Sequence, residues 1–160
     1  MNQRTKTVCR RVIRLLMVLL AAFLLAVAVG IPIINNGIAY GLEKHLKSIP
    51  LPADTQLVDS VSVAGKINGN GNGMEYQAAI LIQSTLSLAE LQDYYAAYAG
   101  ENWDHCLVTT QHGQRVEPFE YGGMGYRQPV GDEGYYTVYS LGSSYDYPMR
   151  SWLDLDLRGH

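Results

Sequence analysis

The spacing of apolar residues divides the chain into two parts near residue 35. Between Leu15 and Ile34, twenty consecutive residues carry no charge, which predicts a single apolar α-helix. At about 1.5 Å per residue, such a helix is about 30 Å long, which matches the hydrocarbon core of a bilayer. We therefore predict a transmembrane helix over residues 15–34, with the lipid bilayer as its partner.

The flanks of this segment predict its orientation. Residues 1–14 form a basic tail with five Lys or Arg and no acid. Positive charge favours the cytoplasmic side, so the N-terminus is predicted to be cytoplasmic and the rest of the chain extracytoplasmic. A cleaved secretory signal is the alternative, because Ala26-Val27-Ala28 could be a cleavage triplet. The apolar run continues beyond that triplet, which favours a retained signal-anchor in the cell membrane.

Residues 35–53 are predicted to form a stem between the span and an outer domain. Ile38, Leu42 and Leu46 recur every four residues, which indicates a helix continuous with the span, and two prolines after residue 49 end it. The apolar stripe could pack on the outer domain, or stems of several copies could associate. Three apolar positions are too few for a coiled coil, so packing on the outer domain is favoured.

From residue 54 onward, apolar and polar residues alternate, as in half-buried strands. Two such strands, around 61–67 and 74–83, flank three successive Asn-Gly pairs at 68–73. Asn-Gly favours the positive φ angles of tight hairpin turns, so we predict a β-hairpin. The glycines lack the spacing and the following helix of a phosphate-binding loop.

A helix and four further strands complete the predicted outer domain, residues 54–160. Ser87 and Glu90 have the spacing of a capping box, and a buried stripe is predicted to follow, comprising Leu88, Leu91, Tyr95 and Tyr98, with Gly100 ending the helix. The strands are expected at 103–111, at 115–121 on an edge, at 135–141 and at 152–158. In the last strand, Leu153 and Leu155 would point inward and Asp156 outward. The order ββαββββ predicts an α+β fold, an antiparallel sheet with one packed helix.

One part of the chain resembles a known kind of protein. The run from Leu51 to Tyr95, LPADTQ…GKINGNGNGMEYQAAILIQS…SLAELQDYY, is similar to the outer domain of small single-pass membrane proteins of Gram-positive bacteria, a family of unknown function. The resemblance implies a membrane-anchored envelope protein with an extracytoplasmic helix-plus-sheet domain, and it carries no catalytic motif.

Charge and cysteine content limit the partners of the outer domain. Residues 35–160 contain seven of the 12 Lys and Arg and all 15 Asp and Glu, a net charge of −8. Nucleic acid is therefore excluded as a partner, and the domain is expected to stand off an anionic lipid surface. Cys9 and Cys106 would lie on opposite sides of the bilayer and could not pair, so Cys106 is expected to be a buried free thiol.

The sequence offers no constellation for catalysis or for a cofactor. The four histidines, at 45, 105, 112 and 160, are not spaced as converging metal ligands or as nucleophile–base pairs. The acidic pairs at 132–133 and at 154 and 156 lack the ordered oxygen ligands of a calcium loop. We therefore predict a protein that is not an enzyme and that holds no metal and no cofactor.

Tyrosine is the unusual component of the composition. Twelve of the 16 aromatic residues are Tyr, and seven of them lie between positions 121 and 147. Tyr suits surfaces that are partly apolar and partly wet, although it also packs at the edges of thin β-cores. The candidate binding residues are Tyr135, Tyr136, Tyr139, Tyr145, Tyr147 and Trp152. The leading hypothesis is a protein-interaction or accessory module for another envelope protein, and the alternative is a module that binds a glycan or peptidoglycan fragment.

Overall fold

A computed structural model of the chain describes residues 3–67, 73–99, 106–119, 123–156 and 158. It confirms the α+β class, with a long N-terminal helix, an antiparallel sheet and a packed helix. The elements are α1 (Gln3–Ser48), β1 (Thr55–Gly65), β2 (Glu75–Ser84), α2 (Leu88–Ala96), β3 (Leu107–Thr110), β4 (Tyr135–Ser143), a 3₁₀ turn (Ser144–Asp146) and α3 (Arg150–Leu153).

The four strands form one antiparallel sheet in the order β1-β2-β4-β3. The predicted pairing of the first two strands is confirmed, with Gly65 opposite Glu75 at one end and Thr55 opposite Ser84 at the other. The Asn-Gly turn is predicted at 68–73, and its residues 68–72 lie outside the described residues. We call the end of the sheet at Gly65 and Glu75 the near end, and the end at Thr55 and Ser84 the far end.

The helix α1 passes without interruption from an exposed apolar half to a half that belongs to the domain core. Large apolar side chains between Val8 and Val29 are exposed. From residue 31 onward one stripe of the helix is buried, comprising Ile31, Asn35, Ala39, Glu43 and Leu46. Packing of the stem on the domain is therefore confirmed. Because no spacer separates the two halves, the domain packs directly on the second half of the helix and begins where the exposed apolar half ends.

Both faces of the sheet are covered. The even-numbered residues of β2, such as Ile80 and Ile82, pack under α1 and α2 together with Leu46 and Val138. The odd-numbered residues pack under the segment between β3 and β4, which contributes four buried side chains, Val116, Phe119, Met124 and Tyr126. The prediction of a half-buried second strand is therefore wrong, because this irregular segment covers the face that was expected to meet water.

The helix α2 begins as predicted. The backbone N–H of Glu90 donates to the Ser87 hydroxyl, and the Ser87 N–H donates to the Glu90 carboxylate at 2.8 Å, which completes the capping box. Leu91 and Tyr95 are buried against the sheet, whereas Tyr98, the last member of the predicted stripe, is exposed. The predicted end at Gly100 lies outside the described residues. Cys106 is buried and forms no disulfide, as expected.

The predicted last strand, at 152–158, is wrong. Residues 150–153 form α3, and the chain then continues as turns through Asp156. The Trp152 N–H donates to the Met149 carbonyl at 2.9 Å, and the Leu155 N–H donates to the Trp152 carbonyl at 3.1 Å. This spacing of three reverses the expected sides, because Leu155 is exposed and Asp156 is buried.

Two other predicted strands are shorter or absent. The strand expected at 103–111 is described only from Leu107 to Thr110, and residues 103–105 lie outside the described part. Of the edge strand expected at 115–121, residues 115–119 are described, and they form only one isolated bridge, between Arg115 and Gly125. The part of the chain that the structure describes therefore has four strands instead of the six predicted.

Leu46 tests whether the C-terminal half of α1 is part of the folded core. Leu46→Ala should lower the unfolding free energy of the detergent-solubilised full chain by roughly 2–5 kcal/mol, because Leu46 is fully buried against the sheet. Denaturant titration followed by near-UV circular dichroism measures the change. The adjacent and exposed His45 is the matched control, and His45→Ala should change stability by less than about 0.5 kcal/mol. Equal effects of the two variants would contradict this packing.

Candidate functional site

Three of the six candidate binding residues contribute to packing. Tyr135 and Tyr139 lie on the face of β4 covered by the segment between β3 and β4, and the Tyr139 ring meets the Phe119 ring edge-on at 5.6 Å. Tyr136 lies on the opposite face, and its hydroxyl donates to the Leu86 carbonyl at 2.9 Å. All three are partly buried, so they do not form one exposed platform.

The other three, Tyr145, Tyr147 and Trp152, are exposed and follow β4 at the near end of the sheet. The Tyr147 ring contacts the Tyr76 ring edge-on at 5.7 Å, and the Arg150 guanidinium lies 3.3 Å from the centre of the Tyr145 ring. The six candidates therefore divide into a packed group and an exposed group. A binding role for any of them stays a prediction.

A buried polar cluster joins the near end to α1, and sequence reasoning missed it. The Asn35 side-chain amide donates to the Leu153 carbonyl at 3.1 Å and to the Asp156 carboxylate at 2.9 Å. The Asn35 carbonyl oxygen accepts a hydrogen bond of 2.9 Å from the Tyr76 hydroxyl. The available signal was its position, since Asn35 lies four residues after Ile31 and four before Ala39, between two apolar residues of one helix stripe. We call these residues the Asn35 cluster.

Arg158 completes the Asn35 cluster through a bidentate ion pair with Asp156. Its guanidinium donates to both carboxylate oxygens of Asp156, at 3.0 and 2.7 Å. It also donates to the Pro32 carbonyl and to the Asn36 side chain, each at 3.2 Å. The Arg158 hydrogen bonds lower the pKa of Asp156 to about 2, against the opposing effect of burial and with help from Asn35.

A second polar contact fixes the middle of α1 on β1. Ser60 and Ser62 donate to the two carboxylate oxygens of Glu43, at 2.7 and 2.6 Å, and the Lys47 ammonium lies 3.5 Å away. Burial opposes ionisation of Glu43, but these hydrogen bonds and Lys47 together lower its pKa. Lys47, near the end of α1, donates to Ser60 in the middle of β1, and Asn35 accepts from Tyr76 near the start of β2. The near end of the sheet therefore lies beside Asn35, where the buried stripe of α1 begins.

The far end of the sheet carries an open polar groove of about 820 Å³. We call it the far-end groove; its lining residues are Asp54, Thr55, Gln56, Gln83, Ser84, Thr85, Glu133, Gly134 and Tyr136. Gln56 donates to Gln83 at 2.6 Å across the strand pair, and Gly134 adopts a positive φ of 73° beside Ser84. A β-carbon at position 134 would lie 2.9 Å from the Ser84 carbonyl oxygen, so the wall requires glycine there.

Comparisons with known proteins add no family to this description. No protein-family model, no curated protein and no solved structure matches the chain. The resemblance over residues 51–95 therefore stays a prediction. Among the described residues, no group of three or more His, Cys, Asp or Glu side chains is arranged to hold a metal ion.

The Asp156 ion pair should make the unfolding free energy depend on pH in the acid range. The folded-state pKa of Asp156 is depressed from 3.8 to about 2, so its contribution is present above pH 4 and is lost as the pH falls toward 2. At neutral pH, Asp156→Asn should lower the unfolding free energy by roughly 1–2 kcal/mol, because part of the Arg158 side chain is in water. Denaturant titrations of the full chain between pH 2 and pH 7 measure the effect.

A matched control for this titration is Asp132→Asn, since Asp132 is an exposed carboxylate of the same domain. Its stability should follow that of the unmodified chain at every pH. The interpretation fails if the difference between Asp156→Asn and the unmodified chain persists unchanged at the acid end of the titration.

Proposed function

We propose that the protein is a single-pass signal-anchor protein of the cell membrane that carries a non-enzymatic interaction module on the extracytoplasmic side. The observation that supports this most strongly is the double role of α1. One continuous helix has an apolar surface exposed on all sides over its first half and forms part of the domain core over its second half. Such a helix is long enough and apolar enough to span a membrane.

The exposed surface of α1 is better matched to lipid than to water. Leaving a Leu, Val, Ile or Phe side chain in water forgoes about 1.5–3 kcal/mol relative to burial. The exposed side chains between residues 15 and 29 are Leu15, Leu16, Met17, Val18, Leu19, Leu20, Phe23, Leu24, Leu25 and Val29. Ten such residues on one helix would be a severe aggregation hazard in water, whereas a bilayer covers them all.

The basic tail supports the orientation of the proposed span. Arg10, Arg11 and Arg14 immediately precede the apolar stretch, and the acids of the chain all follow it. The positive-inside bias then keeps the tail in the cytoplasm and places the sheet outside. The domain would sit directly on the membrane surface, because its core begins at Ile31, inside the last turn of the 15–34 span.

The interaction role rests on the position of the far-end groove. Lys47, about 20 Å beyond the end of the 15–34 span at 1.5 Å per residue, contacts Ser60, and the groove residues Thr55 and Gln56 lie still further along β1, away from Asn35. The packed stripe of α1 and the Glu43 contacts hold it at that height. We infer that another envelope protein is its partner, since an open, polar and fixed surface suits a reversible protein contact.

A glycan or peptidoglycan fragment is the second candidate ligand, and the lining of the far-end groove favours it. Amides of Gln56 and Gln83 and carboxylates of Asp54 and Glu133 can donate to or accept from sugar hydroxyls. The edge of Tyr136 adds an aromatic wall to the same groove.

Cysteine accessibility tests the proposed orientation. With Cys106→Ser, Cys9 is the only thiol and should react with a membrane-impermeant maleimide only after the cells are permeabilised. With Cys9→Ser, Cys106→Ser and Asp132→Cys, the thiol in the outer domain should react in intact cells, because Asp132 is exposed. Gel shifts of the labelled chains measure both reactions, and the reverse pattern would contradict the orientation.

Site-specific photo-crosslinking tests the ligand of the far-end groove. A photoreactive phenylalanine at position 56 should form an adduct of defined protein mass in whole cells, while one at position 93, exposed on α2, should form none. An adduct whose apparent mass falls on treatment with a peptidoglycan hydrolase identifies the glycan candidate instead. Equal adducts at the two positions would contradict a role for the groove.

A further inference from the structure

The segment after β4 presents an apolar row that nothing in the described chain covers. Met149, Trp152 and Leu155 are each about half exposed and are spaced by three residues. The hydrogen bonds from Trp152 to Met149 and from Leu155 to Trp152 make tight turns at this spacing, so the three side chains lie in one row. Tyr145 and Tyr147 add two exposed aromatic rings just before it.

The opposite side of the same segment packs against α1. Leu153 and Asp156, also three residues apart, are each only 3 % exposed. The Leu153 carbonyl and the Asp156 carboxylate both accept from Asn35. The segment is therefore amphipathic. Its inner row, Leu153 and Asp156, is bonded to α1, and its outer row, Met149, Trp152 and Leu155, consists of large apolar side chains.

The contacts with α1 set the depth of this segment relative to the proposed membrane. Asn35 is the first residue after the 15–34 span, and Arg158 reaches back to the Pro32 carbonyl. At 1.5 Å per residue, both contacts lie within about 3 Å of the end of the span. The interfacial layer on each side of the hydrocarbon core is about 5–7 Å thick, so Leu153, Asp156 and Arg158 lie at its level.

We propose that residues Tyr145 to Leu155 are an interfacial anchor that inserts Met149, Trp152 and Leu155 among the headgroups and upper acyl chains of the bilayer spanned by α1. The proposal rests on the membrane placement proposed above and names lipid as the occupant, because Leu153 and Arg158 bond to Asn35 and Pro32 at the end of the proposed span. Trp and Tyr are the aromatic residues that membrane interfaces favour.

The charges of the segment are compatible with this placement. Asp154 is paired with Arg150 at 3.4 Å, and Asp156 is paired with Arg158 at 2.7 Å. Asp146 is the remaining carboxylate between residues 145 and 158, so this end of the domain has a net charge of −1, against −8 for residues 35–160. The expectation that the domain stands off an anionic lipid surface therefore applies less to this end, because ion pairs offset most of its negative charge.

Quenching of Trp152 by nitroxide-labelled lipid tests the proposal. The full chain and its Trp152→Phe variant are reconstituted in phosphatidylcholine vesicles, and the difference between their emission spectra isolates Trp152. A nitroxide on the upper acyl chain should cause a roughly twofold loss of the Trp152 signal, and a nitroxide at the end of the chain should cause a smaller loss. A position control combines Trp152→Phe with Thr85→Trp at the far end, and its added signal should not be quenched.

The outcomes separate this inference from the membrane anchor itself. Flotation of the same vesicles reports whether α1 anchors the chain, and loss of flotation would overturn both proposals. Flotation without quenching of Trp152 would overturn the interfacial anchor alone. A blue-shifted Trp152 emission without quenching would also overturn it, because the row would then be covered by a second copy or another protein.

Discussion

Asn35 holds the junction between the part of α1 that is apolar on all sides and the part that packs on the sheet. A buried amide that lacks partners costs roughly 1–3 kcal/mol, so the side chain strongly prefers the one position in which Tyr76, Leu153 and Asp156 satisfy it. Sliding the domain along α1 by one turn would place an apolar residue at these partners and leave Asn35 without these hydrogen bonds. Asn35 thus helps to fix the height of the sheet on the helix together with Glu43, while Leu46 and its neighbours form the apolar cluster between the helix and the sheet.

Elements with a complete local signal could be predicted from the sequence. The apolar run of 15–34, the stripe through Leu42 and Leu46, the capping box at Ser87 and the alternation that pairs β1 with β2 each lie within a short window. The last strand could not be predicted correctly, because the alternation of Leu153 and Leu155 with polar residues fits a strand, whereas the turn buries Leu153 with Asp156 and exposes Leu155. Its conformation is decided by Asn35, which is 118 residues from Leu153 in sequence and bonded to it in space.

The candidate site shows the same limit. The local excess of tyrosine identified the right stretch of chain, but exposure within it depends on distant packing. Tyr139 is partly covered because Phe119, from a segment with no regular periodicity, packs across it. Tyr145, Tyr147 and Trp152 stay exposed because β4 ends at Ser143 and the chain turns toward α1. The Asn35 cluster was missed because a lone Asn after an apolar stretch looks like a fraying point until its partners are known.

Two attachments would constrain the outer domain more than one. A single helix fixes the height of a domain above the bilayer but leaves it free to tilt relative to the membrane plane. An interfacial contact through Trp152, beside α1 and at headgroup depth, would restrict that tilt, because it adds a second point of attachment. The far-end groove would then keep a constant tilt as well as a constant height, which lowers the entropy lost when a membrane-bound partner docks there. The Asn35 amide and the amphipathic segment would then act together to hold the far-end groove in a position where a partner can bind it.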